Sequence, residues 1–226
     1  MLRLPDADNA LAGPVNPARP GVLTIWVASP AEARPCLVAD LVARVAGRHH
    51  LRAIVSGPAP ADWAELNVYP AGVTAGPPEP LDVAVGPAVG PAGGAAAPAA
   101  HRVQPGAAGP VDLTGLDPLA LRLALMQRPY RAGADFTPDD LKAAGEILTG
   151  WRGLVRHWAL SPSKPMCAQY AGDFLAALDD DLDTPAALRT LAALAADPVI
   201  PDGSKFETFA HLDRFLGLDL AREVGR

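Results

Sequence analysis

Proline is spread so unevenly along this chain that it divides the fold before any other feature is weighed. Eighteen of the 25 prolines lie at or before Pro118, and seven follow it. Each proline fixes φ and removes a backbone donor, so a proline-dense stretch resists both long helices and central strands. The densest stretch, residues 68–110, holds nine Pro and eight Gly, with Glu79, Asp82 and Arg102 as its charges. So little apolar surface cannot offset the entropy of ordering the chain. Residues 86–112 are therefore read as a Pro/Gly/Ala-rich linker between a first domain, 1–85, and a second, 113–226.

The first domain opens with a β-branched apolar run, Gly21 to Val27 (GVLTIWV), and a second run follows at Leu51 to Val55. Between them, Pro35 to Ala46 sets Leu37, Leu41, Val42 and Val45 on one helical face, with Asp40 and Arg44 off it. Strand, helix and strand in that order predict a parallel βαβ unit. Leu81 to Val85 offers a weaker third strand. The run Gly86 to Gly94 is not a phosphate loop, because prolines interrupt its donors and no lysine follows.

In the second domain, Asp117-Pro118, Thr137-Pro138 and Thr184-Pro185 each set a capping side chain before a proline, the signature of a helix start. Ser204 to Glu207 reads as a capping box, and Met166 to Leu178 as a further helix. Trp151, Val155 and Trp158 form a core stripe, while Arg152 and Arg156 are expected in solvent. The domain is helical throughout.

A net charge of −6 and a pI near 5.3 disfavour a protein that holds nucleic acid chiefly by neutralising phosphate. Cys36 and Cys167 lie far apart, with no C-x-x-C partner, which suits a reducing compartment and two small hydrophobes. His49 and His50 follow a helix and suit its C-terminus. The run Asp179 to Asp183 misses the EF-hand spacing, and its place before Thr184-Pro185 favours helix capping over metal. The N-terminal residues lack a signal-peptide pattern and no stretch reaches membrane-spanning length, so the expected setting is cytoplasmic without membrane contact. Gln127 to Arg131 ends a helix with two cations and an aromatic ring. With Arg122, the residues Arg128, Tyr130 and Arg131 are candidate contacts to RNA or another partner.

Several segments carry a resemblance. Leu116 to Met126 (LDPLALRLALM), then Tyr130-Arg131, then Asp135 to Thr137, resemble the segment after the catalytic domain of cysteinyl-tRNA synthetases and the related mycothiol cysteine ligases. Leu178 to Leu188 (LDDDLDTPAAL) resembles the next signature of that family. Gly21 to Pro30 and Ala61 to Pro70 are similar to its first strand and to a later segment. The resemblance implies a class I fold, α/β plus α, here a reduced Rossmann-like parallel sheet followed by a helical bundle like the family's stem-contact and anticodon-binding region.

It also implies machinery that this chain lacks. The family's phosphate-binding His-x-Gly-His motif has no counterpart, since no histidine falls between Ala28 and Arg48. Its mobile lysine loop has none either, because the first lysine is Lys142. The position of its first zinc-ligating cysteine is Ala28. The expectation is a truncated, degenerate paralogue with no catalytic residues, no ATP and no zinc, acting on a protein partner such as a full-length synthetase or a pathway enzyme. The alternatives are a tRNA-binding module and a residual ATP-dependent cysteine or amino-acid ligase, for which Cys36, Asp62 and His101 are the reactive groups.

Overall fold

The computed structural model describes residues 1–8, 11–59, 63–68, 71–86, 99–109 and 111–226. Much of the stretch read as a linker, residues 87–98 and Pro110, lies outside the described residues. The chain folds as two compact units. One comprises Met1–Pro110, Tyr130–Asp135 and Asp179–Leu182; the other comprises Val111–Pro129, Phe136–Leu178 and Asp183–Arg226.

The first unit is built on a five-stranded parallel sheet. Its order is β5 (Gly72–Val73), β4 (Arg52–Gly57), β3 (Val22–Val27), β6 (Val83–Val85) and β7 (His101–Val103). Helix α1 (Ala33–Arg48) supplies the crossover from β3 to β4, as the apolar spacing predicts. A short hairpin, β1 (Arg3–Pro5) and β2 (Ala12–Pro14), precedes the sheet. The central strand β3 is almost wholly buried, as a strand covered on both faces must be, which explains its unbroken apolar run. Ile25 pairs with Val55 on one side and with Val83 on the other.

Asp82 fixes that register. Its carboxylate is buried and accepts from the Thr24 amide and hydroxyl at 2.8 Å each, and from the Ala18 amide at 2.8 Å. Three donors satisfy a charge that burial would otherwise make costly. Strand β7 falls inside the stretch read as linker. Its three residues alternate buried and half-buried, with His101 and Val103 inward, and this period is too short to stand out from a Pro/Gly background.

The second unit is helical: α2 (Pro118–Met126), α3 (Pro138–Trp158), α4 (Ala168–Asp179, to Leu178 in this unit), α5 (Thr184–Ala196) and α6 (Asp202–Leu216). Asp117 caps α2 through the Leu119 amide, and Thr137 forms a reciprocal capping box with Asp140. Two starts differ from the sequence reading. Asp183, not Thr184, caps α5; the Thr184 hydroxyl instead donates to the Met126 carbonyl at 2.7 Å. Helix α6 begins at Asp202, so Ser204 lies within its first turn and forms no capping box. There the local motif loses to the packing that buries Ser204, Lys205 and Thr208.

The core stripe of α3 holds for Trp158, edge-on to Phe209 at 5.1 Å between centroids, and for the fully buried Val155, whereas Trp151 is only partly buried, edge-on to Phe209 at 6.3 Å. Arg152 is a correction: it is buried, not solvated. Its guanidinium donates to Asp117 Oδ2 at 2.6 Å and to the Leu218 and Asp219 carbonyls. Asp117 thus serves as helix cap and as buried counter-ion, and it also pairs with Arg222 at 2.9 Å. Among the described residues no helix is long and apolar enough to cross a membrane.

Replacing Asp117 should remove a cap and leave the buried Arg152 without its carboxylate. The D117A variant is expected to lose about 2–4 kcal/mol of stability, read from thermal and urea midpoints. A loss below about 0.5 kcal/mol would show that neither role stabilises the unit.

Candidate functional site

In an open parallel sheet, the crevice able to hold a ligand lies beyond the carboxyl ends of the strands, where the order reverses. Here that point lies between β3 and β6. The backbone at this mouth is tightly packed. The Ala28 amide donates to the Val85 carbonyl at 2.9 Å, and a Cβ on Gly86, whose φ is +148°, would lie 2.9 Å from the Ala28 Cβ. At the end of β4, a Cβ on Gly57 would lie 3.0 Å from the Val27 carbonyl oxygen. Ser56 beside it is buried, and its hydroxyl has no hydrogen-bond partner among the described residues. A hydroxyl can donate and accept there, but it brings no charge.

Cys36, in the first turn of α1, is buried and donates to the Pro30 carbonyl at 3.4 Å. Burial, with the nearby negative charge of Glu32, pushes its thiol up to about 12, so it stays protonated and is a poor nucleophile or metal ligand. His101 sits on β7 with Nδ1 3.3 Å from the Leu4 and Pro5 carbonyls. No hydrogen bond joins it to Cys36, and Asp62 lies outside the described residues.

Several acidic and basic residues of this unit meet at one turn. Asp179, Asp180 and Asp181 each take different partners. Asp179 receives His49 Nε2 at 2.6 Å and pairs with Arg48. Asp180 faces Arg3 at 3.8 Å, with both side chains exposed. Asp181 accepts from the Tyr130 hydroxyl at 2.7 Å and pairs with Arg131 Nη2 at 2.6 Å. Asp181 and Leu182 both have φ near +55°, a costly conformation for residues with side chains, held here by the Asp181 pairs and by full burial of Leu182. The capping role read for this run falls to Asp183 alone; its neighbours are counter-ions. Sequence spacing could not reveal this, since Arg3, Arg48 and Arg131 approach only through the fold.

The four candidate contacts therefore differ. Arg122 is fully buried in the second unit and donates from Nε to the Leu216 carbonyl. Arg128, in that same unit, is half-exposed; it lies over the Phe136 ring at 4.8 Å and 3.9 Å from Asp140. Tyr130 is buried in the first unit. Burial first, then the hydrogen bond and charge of Asp181, hold its phenol well above the usual range. Arg131 stays half-exposed beside it, 5.1 Å from the Tyr130 ring.

Comparison with known proteins gives this arrangement a relationship. No family model matches the chain. A ligase named for joining L-cysteine to 1D-myo-inositol 2-amino-2-deoxy-alpha-D-glucopyranoside, from Streptomyces griseus, is 36% identical over 110 residues, 47% of this chain and 26% of that protein. Cysteine–tRNA ligases from Thermosynechococcus vestitus and Rhodospirillum centenum are 39% and 40% identical over 90 and 76 residues, 36% and 34% of this chain and 18% and 16% of theirs. The chain is a relative of the class I cysteinyl-tRNA synthetase family. What it shares with these relatives spans about a quarter of their length or less. Its parallel sheet with accompanying helices fits the α/β fold of that family.

The aspartate turn gives this synthetase-like protein a pH dependence. Burial would raise the Asp179 carboxyl, but the His49 hydrogen bond and the Arg48 charge outweigh it and hold the group below its ordinary value. A lowered folded value means that Asp179 stabilises above the ordinary carboxylate range and ceases to as pH falls through its folded value. Solvent screening limits the contribution to about 1 kcal/mol. D179N should lower the thermal midpoint at neutral pH, and that difference should shrink as pH falls below the ordinary carboxylate range. A difference that does not change with pH would count against this account.

Proposed function

We propose that this synthetase-like protein is a non-catalytic paralogue that acts by binding another protein. The observation that carries the reading is Ala28 at the end of the central strand. It stands where the family resemblance implies a zinc-ligating cysteine, and its methyl group packs against Gly86. Ala28 offers no donor atom, the Cys36 thiol is held protonated, and the mouth of the sheet presents backbone and hydroxyl groups. These residues do not fit zinc. The His-x-Gly-His motif and the lysine loop with which the family holds phosphates have no counterpart before Lys142, and losing such charge stabilisation costs orders of magnitude in rate.

The finer fold assignment belongs to the same proposal. Counted from β3, the sheet order reads 3-2-1-4-5, that of a doubly wound Rossmann-like domain, reduced here to short outer strands and followed by a helical bundle. The two unpaired cysteines support a reducing, cytoplasmic setting. The alternative reading, tRNA binding, draws on the half-exposed guanidinium groups of Arg128 and Arg131. Each already faces an aspartate of the chain, so neither adds uncompensated charge toward phosphate.

Purified protein is expected to give no cysteine-dependent ATP–pyrophosphate exchange and no tRNA mobility shift at about 50 mM salt. Exchange above background would overturn the non-catalytic reading. A salt-sensitive shift weakened by R128A and R131A would replace protein binding with tRNA binding.

A further inference from the structure

Helix α3 carries a second apolar stripe that its own unit covers only in part, through the edge-on contact of Trp151 with Phe209 at 6.3 Å. The buried residues Leu141, Ala144, Leu148 and Val155 face inward, as an amphipathic helix requires. Alongside them run Ala143, Ile147, Trp151 and Leu154, at spacings of four, four and three residues. Ile147 and Leu154 are 39% and 38% exposed. This stripe spans about 16 Å, three helical turns.

Between α3 and α5 the stripe opens into a groove of about 390 Å³. Ile147, Trp151, Pro185 and Leu188 make its apolar wall, and Gln127 and Arg189 stand at the rim. No acidic residue lines it. Neither the Trp151 indole N–H nor the exposed Arg189 guanidinium has a hydrogen-bond or ion-pair partner among the described residues. Arg48, Arg128, Arg131, Arg152 and Arg222, by contrast, each pair with a carboxylate of their own unit. Gly150 and Gly153 add a further sign: a Cβ on either would meet nothing within 4 Å, so no neighbour explains two residues that weaken an exposed helix.

We propose that this groove binds an amphipathic α-helix of a partner protein, one with apolar side chains at i, i+4 and i+7 and a carboxylate placed for Arg189. The helix-in-groove mode needs an apolar trough at this spacing, and the unpaired cation and indole donor set the sign of the partner's charge. Tryptophan and arginine are also the residue types that most often dominate binding energy. A second copy docking symmetrically would present the same patch, with Arg189 and no acid to meet it, so the occupant is a different chain. The proposal rests on the protein-binding reading for its partner but not on the absence of catalysis.

The test pans a displayed library of helical peptides about 15 residues long against the full chain and against R189E, with circular dichroism confirming that each variant is folded. The expected winners carry apolar residues at i, i+4 and i+7 with Asp or Glu beside them. As labelled peptides they should bind about tenfold more weakly to R189E and to I147D, and a Glu-to-Lys peptide should regain binding to R189E. No enrichment, enrichment of basic peptides, or binding that ignores both variants would overturn the proposal. So would a concentration-dependent dimer lost in I147D, which assigns the face to a second copy. Because the readout is groove-specific binding, its failure is distinct from a positive exchange assay, which would sink the non-catalytic reading alone.

Discussion

The first unit depends on the turn at residues 179–182, where three consecutive carboxylates each hold a different part of the chain. Asp179 holds the end of α1 through Arg48 and His49, Asp180 faces β1 through Arg3, and Asp181 holds the Tyr130–Arg131 segment. Three like charges in sequence repel unless each is compensated, and a chain with three separate cationic or hydroxyl partners solves that only in one arrangement. The turn that carries these groups takes left-handed backbone at Asp181 and Leu182. Specificity, more than raw stability, is what such a network supplies, since each pair is partly open to solvent.

Compensation of this kind runs through the molecule. The acidic pI describes a surplus of carboxylates, and many of them are occupied by the chain's own arginines: Asp40 by Arg44, Asp117 by Arg152 and Arg222, Asp140 by Arg128. The parallel sheet is secured by other means, through Asp82 and Thr24 and the buried faces of β3 and α1. None of these groups stands at the mouth of the sheet. A fold held in this way accommodates the close approach of Ala28 to Gly86 at that mouth.

Much of this was legible in the sequence. The βαβ start, the Asp117 and Thr137 caps and the Trp158 stripe follow local rules, and there local and global preferences agree. The reading of Thr184 slipped by one residue because Asp183 and Thr184 are both good caps, and only the Met126 carbonyl decides between them. Arg122 and Arg152 read as outward-facing for different reasons: α2, buried on nearly all sides, gives no periodic signal for an inward arginine, and Asp117, the carboxylate that pairs with Arg152, lies 35 residues away in sequence. Strand β7 was hidden by its brevity. At the mouth of the sheet, the sequence named what was absent, whereas the unpartnered Ser56 hydroxyl and the close approach of Ala28 to Gly86 needed coordinates.

The order in which the chain is made adds one consequence. Residues 130–135 and 179–182 belong to the first unit although most of the second unit's sequence surrounds them. During synthesis the sheet strands emerge early, but the carboxylates that compensate Arg3, Arg48 and Arg131 leave the ribosome only after α4. Until then the early strands have exposed edges and uncompensated cations, the period in which a nascent chain is most open to chaperones or to mispairing. A unit whose last residues arrive late in this way completes its fold only after α2, α3 and α4 have been made, rather than domain by domain.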